Sequence, residues 1–447
     1  MKMKEKIASR TAKICVIGLG YVGLPTAISF AEKGFDVIGA DIDKKKVELI
    51  QKSISPLKDL NLDDRLVKVR GNGKLSVTSD IPQAVSKSDI ILIIVPTPVT
   101  ETKIPDLSFI ESACKSVLKG LRKGQLVVLE SSTFPGTTDE IVKPILEQKG
   151  LKAGPDFGLA YCPERYDPGD ENHTLDKVAR IIGAINSDWA ETTKELYQSI
   201  IKEKVTIVKD LKTAEAAKII ENIQRDLNIA LFNELAMIFQ RMDIDVISVI
   251  EAASTKWNFI KYYPGPGVGG HCLPVDPYYL THKAMELGYH PRLILAGRGI
   301  NDYMPLHVVN LVVNGLNEVG KSVKGSKISI LGISYKANVG DIRESPALYI
   351  TNRLFEMGGK IFIFDPVVNP LEIEESGIFK CYKLDESLKD SDCVIIITDH
   401  DVIRSLSLDE IISLVKKDCV LVDTRNVFRP EAIPKNIIYR GIGRSRS

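Results

Sequence analysis

Long hydrophobic runs are missing from this 447-residue chain: the longest, Ile90 to Val95, falls far short of the ~20 apolar residues that a membrane-spanning helix needs, and none is expected. An excess of either charge is missing too. Lys and Arg number 59 against 58 Asp and Glu, a formal net charge of +1, so nucleic acid is not expected as a main partner. The seven cysteines, at 15, 114, 162, 272, 381, 393 and 419, contain no Cys-x-x-Cys pair, which signals neither a disulfide framework nor a zinc site, and no metal is expected. The basic start, Met1 to Arg10, leads into no apolar signal-peptide core, so the expected compartment is the cytoplasm. Glycine and proline vanish between Gly183 and Pro264, and 80 consecutive residues without either breaker predict a mostly helical middle.

Before that middle, short β-branched runs alternate with helix-like stretches: KICVIG from Lys13, DVIGAD, DIILIIVP, QLVVLE and FGLAYC. This is the pattern of a parallel sheet wrapped by helices. Within the middle, Ala216, Ile220, Ile223, Leu227, Leu231 and Leu235 fall at helical spacings, predicting one helix from Thr213 to Met242, roughly 45 Å long. The third region echoes the first. KISILGISYK (Lys327 to Lys336) resembles KICVIGLGY, and SDCVIIITDH (Ser391 to His400) resembles SDIILIIVPTP (Ser88 to Pro98). The expected fold is therefore α/β: two Rossmann-like, doubly wound parallel-sheet domains, residues 1–209 and 325–447, joined by a central helical domain, 210–324. The basic tail GRSRS is expected to be disordered.

Gly18-Leu-Gly20-Tyr21-Val22-Gly23 follows a strand and opens a helix, the context in which such glycines bind a dinucleotide. The first glycine permits a tight turn, the second lets pyrophosphate approach the backbone, and the third lets helix and strand pack closely. Asp41, at the end of the next strand, can accept both ribose hydroxyls and repel a 2′-phosphate, which favours NAD over NADP, although Lys44, Lys45 and Lys46 pull the other way. The third region lacks this loop. Its Lys336 and Arg343 lie at the ligand edge of the second sheet, where they read either as phosphate partners or as a solvated surface.

The segment from Pro264 to Cys272 packs four glycines and two prolines into the residues before its cysteine, and such a loop presents one side chain among exposed amides. A thiolate there suits covalent chemistry on a carbonyl carbon, with His271 beside it; the alternative is a buried cysteine after a turn. Lys218 and Asn222 stand one helical turn apart, and together they can stabilise an oxyanion or simply form a solvated face. Glu164 follows the strand FGLAYC, where a carboxylate serves as a base or pairs with Arg165; Asp276 either orients water or a lysine, or stands in a helix cap or turn.

Taken together, GLGYVGLP, VPTP (Val95 to Pro98), SSTFPGTT (Ser131 to Thr138), CPERYDPG (Cys162 to Gly169), AAKIIEN (Ala216 to Asn222), YPGPGVGGHCLPVDP (Tyr263 to Pro277) and DIRESPA (Asp341 to Ala347) resemble the UDP-glucose/GDP-mannose dehydrogenase family. The resemblance implies an NAD-dependent four-electron oxidation of a UDP-sugar at C6, and a homodimer or an assembly of dimers. It implies Cys272 as the catalytic thiol, Lys218 and Asn222 as the oxyanion pair, Glu164 as the acid/base carboxylate, and Asp276 with Thr133 as the groups that hold water. It also implies that Gly18, Gly20, Tyr21, Val22, Gly23, Asp41, Thr97, Thr133 and Arg343 meet NAD. Glu164, Lys218, Asn222, Tyr263, Gly265, Gly269 and Lys336 would meet the UDP-sugar. Val275 stands where UDP-glucose and GDP-mannose enzymes usually carry lysine, and the resemblance leans to the branch oxidising acetamido sugars, UDP-N-acetylglucosamine ahead of UDP-N-acetylmannosamine. Two other readings compete: a two-electron hydroxyacid-type dehydrogenase, which leaves the cysteine loop unexplained, and a nucleotide-sugar or NAD sensor without turnover.

Overall fold

Strands whose residues are buried on both faces read as unbroken apolar runs, and KICVI, IILI, LVVL and GLAY fold as such strands. The structure, a computed structural model, describes residues 2–57, 62–166, 173–374 and 379–444. Asp167, Pro168 and Gly169 of the CPERYDPG motif, and the last three residues of the GRSRS tail, lie outside the described residues.

The chain divides into two compact units, Met1–Glu221 with Tyr278–Tyr289, and Asn222–Pro277 with His290–Ser447. The first is built on strands β1 (Lys13–Ile17), β2 (Asp36–Ala40), β3 (Leu75–Thr78), β4 (Ile90–Ile93), β5 (Leu126–Leu129), β6 (Gly158–Tyr161), β7 (Arg180–Ala184) and β8 (Val205–Ile207) in the order β3-β2-β1-β4-β5-β6-β7-β8. Successive side chains alternate between two cores: Ile14 and Val16 enter one, Cys15 and Ile17 the other. One pairing departs from the expected parallel sheet. β7 runs antiparallel to β6, with Ala160 facing Ala184 and Tyr161 facing Gly183, so the start of β7 adjoins the carboxyl end of β6.

The second unit carries β9 (Lys327–Leu331), β10 (Lys360–Phe364), β11 (Cys393–Ile396), β12 (Val420–Asp423) and β13 (Ile438–Gly441), all parallel, in the order β10-β9-β11-β12-β13. The sequence repeat is a structural repeat down to single hydrogen bonds. Asp89, before β4, accepts the Lys13 amide at 3.1 Å and the Lys6 ammonium at 2.8 Å; Asp392, before β11, accepts the Lys327 amide at 2.9 Å and the Lys321 ammonium at 2.9 Å. Each Ser-Asp pair thus seats the start of the strand beside it.

The long helix spans Leu211–Arg241, about 46 Å at 1.5 Å per residue. Of the apolar residues at helical spacing, Ile223 is buried, Ala216, Leu227 and Leu235 are half-buried, and Ile220 and Leu231 are exposed; Ala214, Ile219, Ala230, Phe232 and Ala236 are buried as well. An apolar residue at helical spacing can face a partner as readily as its own core.

Near the start of this helix, Glu215 is buried and accepts the Gly136 amide at 2.5 Å, the Thr138 amide at 2.8 Å and the Thr138 hydroxyl at 2.6 Å. Burial nevertheless pushes its pKa up to about 7. A carboxyl with a raised folded-state pKa binds more protons folded than unfolded, so its contribution to stability falls as the pH rises from about 4.5 to about 7. From pH 5 to pH 7 Glu215→Gln is expected to lose on the order of 2 kcal/mol less unfolding free energy than the wild type, whatever its starting stability, and urea titrations at those two values measure the difference.

Candidate active site

The glycine loop of the first unit forms as the spacing requires. Gly18 adopts φ +91°, its amide donates to Ala40 at 2.8 Å, and the helix Gly23–Glu32 begins on the third glycine. A Cβ on Gly23 would collide with the Gly18 carbonyl oxygen, whereas one on Gly20 would meet nothing within 4 Å. The middle glycine therefore leaves its side of the loop open to a ligand. Asp41 is buried at the end of β2, where its Oδ2 accepts the Leu19 amide at 2.8 Å and the Lys46 ammonium at 2.9 Å, and its Oδ1 accepts the Asp43 amide at 2.9 Å. Tyr21 meets the strand-end loops through its carbonyl, which accepts the Tyr166 hydroxyl at 2.5 Å.

The other strand ends of this sheet carry polar groups. Ser131 Oγ bridges the Val95 amide and carbonyl at 2.9 and 2.8 Å, fixing the VPTP segment on which half-buried Thr97 stands. Thr133 is buried, and its hydroxyl donates to Thr137 at 2.5 Å. Glu164 accepts the Arg165 and Tyr166 amides on Oε1 at 2.7 and 2.8 Å, and the guanidinium of Arg180 on Oε2. A side-chain pair with Arg165 does not form, because that guanidinium reaches Glu221 at 2.7 Å. Lys218 is buried rather than part of a solvated face.

In the second unit, Asn222, one turn after Lys218 on the same helix, donates to Asp276 Oδ2 at 2.5 Å. Asp276 is buried and opens the helix Asp276–Glu286, its amide donating to the Cys272 carbonyl at 2.8 Å. Cys272 itself is exposed, while Cys15, Cys114, Cys162, Cys393 and Cys419 are buried and Cys381 is half-buried. The loop before it is pinned at both ends. The Gly265 amide donates to Asn233 at 2.9 Å, and a Cβ on Gly269 would run into the Glu344 carbonyl and the Tyr335 side chain. Tyr263 is exposed, and Val275 is buried. His271 lies 3.6 Å from Asp341, which also takes the Arg343 guanidinium through two hydrogen bonds of 2.8 and 2.7 Å. Against the opposing effect of burial, those two partners hold the Asp341 carboxyl well below the usual carboxylate range. Lys336 is half-buried at the end of the β9 loop, where its carbonyl accepts the Ser334 hydroxyl at 2.9 Å.

Several supporting residues escaped sequence reasoning. Arg180, Glu130 and Tyr197 form a buried cluster around Glu164, and Asn233, Asn301, Asp226 and Arg298 form a second one that anchors Gly265. The one signal in the sequence is the lone charge in an apolar run, Glu130 after LVVL and Arg180 before IIGA.

The chain matches three domains of one family: the NAD binding domain of the UDP-glucose/GDP-mannose dehydrogenase family over residues 12–201, its central domain over 212–303 and its UDP binding domain over 329–430. It is 39% identical to the UDP-N-acetyl-D-glucosamine 6-dehydrogenase of Pseudomonas aeruginosa, over 92% of this chain and 96% of that one. It is 37% identical to a UDP-N-acetyl-D-mannosamine dehydrogenase of Methanococcus maripaludis, over 93% of each. The solved structure of the UDP-D-ManNAc dehydrogenase of Pyrococcus horikoshii superposes with a TM-score of 0.88 at 34% identity, covering 97% of this chain and all of that one.

The loop residues fit NAD, since Gly20 leaves room for pyrophosphate and Asp41 keeps accepting capacity beyond its three donors. Asp41→Asn is expected to weaken NAD about tenfold or more and NADP far less, because the carboxylate that repels a 2′-phosphate is gone while Lys46 remains to attract one. Fluorescence titration with NADH and NADPH measures this, and equal weakening of both would reduce Asp41 to a strand-end residue.

Proposed function

This chain belongs to the UDP-glucose/GDP-mannose dehydrogenase family, and from that premise we propose that it oxidises the C6 hydroxymethyl of a UDP-N-acetylhexosamine to the uronate through a cysteine thioester. It is an NAD-dependent oxidoreductase of UDP-sugars. The observation that carries the covalent reading is Cys272, the exposed thiol among seven cysteines, with the hydrogen-bonded pair of Asp276 and Asn222 one turn on.

Bound NAD would supply the hydride acceptor for two successive oxidations, held by the Gly18–Gly23 loop, Asp41, Thr97 and Arg343. At the aldehyde stage the Cys272 thiolate adds to C6, forming a C–S bond and a thiohemiacetal whose oxygen is stabilised by Lys218 and Asn222. Oxidation of that adduct leaves a thioester. Water held by Asp276 and Thr133 then attacks it, Glu164 or Asp276 takes the water's proton, and the thiolate leaves as the uronate forms. Covalent capture keeps the reactive aldehyde from escaping between the two oxidations. Tyr263, Gly265, Gly269 and Lys336 are assigned to the UDP-sugar.

Three wider assignments belong to the same reading. The division is 1–209 for NAD, 210–324 for a central dimerisation region and 325–447 for the UDP-sugar. Exposed Ile220, Leu231 and Ile238 on the long helix, with Trp257 and Leu293, support a homodimer or an assembly of dimers. A cytoplasmic site completes the reading, and no helix among the described residues is long and apolar enough to cross a membrane.

Among sugars, UDP-N-acetylglucosamine is placed first, UDP-N-acetylmannosamine second and UDP-glucose third. The relatives named for acetamido sugars support that order over UDP-glucose, as does apolar Val275 in place of a lysine beside the cysteine. The C2 epimers differ by the direction of one substituent, a difference of about fivefold to tenfold in kcat/KM for one displaced hydrogen bond. Side-by-side kcat/KM values for the three sugars test the order, and a UDP-glucose value above both others would refute it. The covalent route is expected to release two NADH per sugar nucleotide consumed, and Cys272→Ala to make no uronate while NADH binding stays unchanged. A ratio of one with aldehyde as product, or turnover without Cys272, would overturn it.

A further inference from the structure

Three strand ends of the first unit meet at a fully buried guanidinium. Arg180 opens β7, and continuing the β6–β7 register by three residues sets it opposite Glu164. Its Nη2 donates to Glu164 Oε2, and its Nη1 donates to the Pro163 carbonyl at 2.9 Å and to Glu130 Oε2 at 3.3 Å. Glu130 directly follows β5, and its other oxygen accepts the Tyr197 hydroxyl at 2.7 Å. The ring of Tyr197 also faces the guanidinium, its centroid 5.5 Å from the central carbon.

Two carboxylates around one cation carry a net negative charge when both ionise, and a site closed to water disfavours that state. One of the two must hold the proton more tightly. Glu164 has donors on both oxygens, an amide pair on one and the guanidinium on the other. Glu130 has a neutral hydroxyl and a longer bond to Arg180, so the proton resides there; burial, opposed by Arg180, pushes its pKa up to about 7.

We propose that Arg180 and Glu130 form a proton-linked clamp on Glu164: Arg180 is a positioning residue that holds the Glu164 carboxylate at the end of β6, and the protonation of Glu130 sets how much of the guanidinium Glu164 receives. The inference rests on the acid/base assignment of Glu164 given above. While Glu130 is protonated, the charge of Arg180 is spent on Glu164. Once ionised, Glu130 competes for the same guanidinium, so the hold of Arg180 on the Glu164 carboxylate changes near pH 7. The groups facing Glu130 are Arg180 on β7, Glu164 and Cys162 after β6, and Tyr197 on the helix Ser187–Gln198. Burial raises the pKa of both Cys162 and Tyr197, so neither supplies a charge at neutral pH. A cluster that merely tied three strands together would hold the fold without marking the pH dependence of turnover.

The test is the pH profile of kcat/KM for NADH formation from UDP-N-acetylglucosamine and from UDP-N-acetylmannosamine, with thermal melts alongside, for the wild type, Glu130→Gln, Arg180→Lys and Glu164→Gln. Glu130→Gln keeps the shape of the cluster and removes its titration, so an inflection near pH 7 is expected in the wild type and absent from the variant. Arg180→Lys keeps the charge and loses the fork, so kcat is expected to fall about tenfold with KM for NAD unchanged. A Glu130→Gln profile superimposable on the wild type, with Glu164→Gln inactive, overturns the clamp and leaves the role of Glu164 standing. A fully active Glu164→Gln overturns that role and the clamp with it. Should Arg180→Lys fail to fold, the Glu130→Gln profile decides alone.

Discussion

Asp41 takes the amide of Leu19 at 2.8 Å, and Asp365 takes the amide of Ile333 at 2.7 Å, each from the turn that follows the first strand of its sheet. A carboxylate removed from water costs several kcal/mol unless donors replace its hydration, and the carboxyl end of a parallel sheet offers such donors as the chain turns into the next element. Both units are organised by that exchange. Asp89 and Asp392 hold the starts of β1 and β9, Glu130 and Glu164 share one arginine, and Asp276 answers Asn222. The tight turns are then fixed from beneath by acids rather than by loop packing alone, and the groups assigned to chemistry inherit their orientation from the same bonds.

The two sheets use the same acid differently. Asp365 is saturated: Oδ2 accepts the Ile333 and Ser334 amides and faces His400 Nε2 at 3.1 Å, while Oδ1 accepts the Val367 and Val368 amides, both at 3.0 Å. The Asn338 amide donates to His400 Nδ1 at 2.9 Å, so the ring proton sits on Nε2, pointing at the acid. Among the described residues Asp41 has three donors, one of them a partly exposed lysine that can swing away. With about four lone-pair positions to fill, Asp41 can take ribose hydroxyls and Asp365 cannot. The shared topology therefore leaves accepting capacity at the first strand turn and fills it at the second, in keeping with a glycine loop that the first unit carries and the second lacks.

Much of this was legible because it depends on periodicity and on backbone sterics. The strands, the long helix and the glycine loop follow from apolar spacing and from positions where a Cβ cannot fit, and both are local properties. The exposed thiol was legible for a similar reason, since six cysteines lie outside glycine-rich loops and Cys272 does not. What stayed hidden depends on pairings across the sheet. Nothing within CPERYDPG says that Glu164 would ignore neighbouring Arg165 for Arg180, because that choice follows from the antiparallel turn of β7. The covered face of the long helix was not legible for a related reason: helical spacing identifies apolar residues, and packing decides which of them meet the chain's own core, as with buried Ile223 against exposed Ile220 and Leu231.

The cysteines show how far environment separates identical side chains. Burial pushes the thiols of Cys15, Cys114 and Cys419 up to about 12, so at neutral pH they remain protonated fillers of apolar space. Cys272 is set apart by its loop rather than by its own chemistry. The Gly265 amide is tied to Asn233, itself held at 2.9 Å by Asn301, which in turn bonds buried Asp226 and through it Arg298. At the other end, Gly269 and Gly270 sit against Tyr335 where no larger residue fits. A thiol on a loosely tethered loop would trade reactivity for uncertainty of position, and the covalent capture proposed for Cys272 tolerates little of the latter. The two anchors resolve this by confining flexible residues between fixed points, so that glycine supplies close approach while the buried polar chain supplies rigidity.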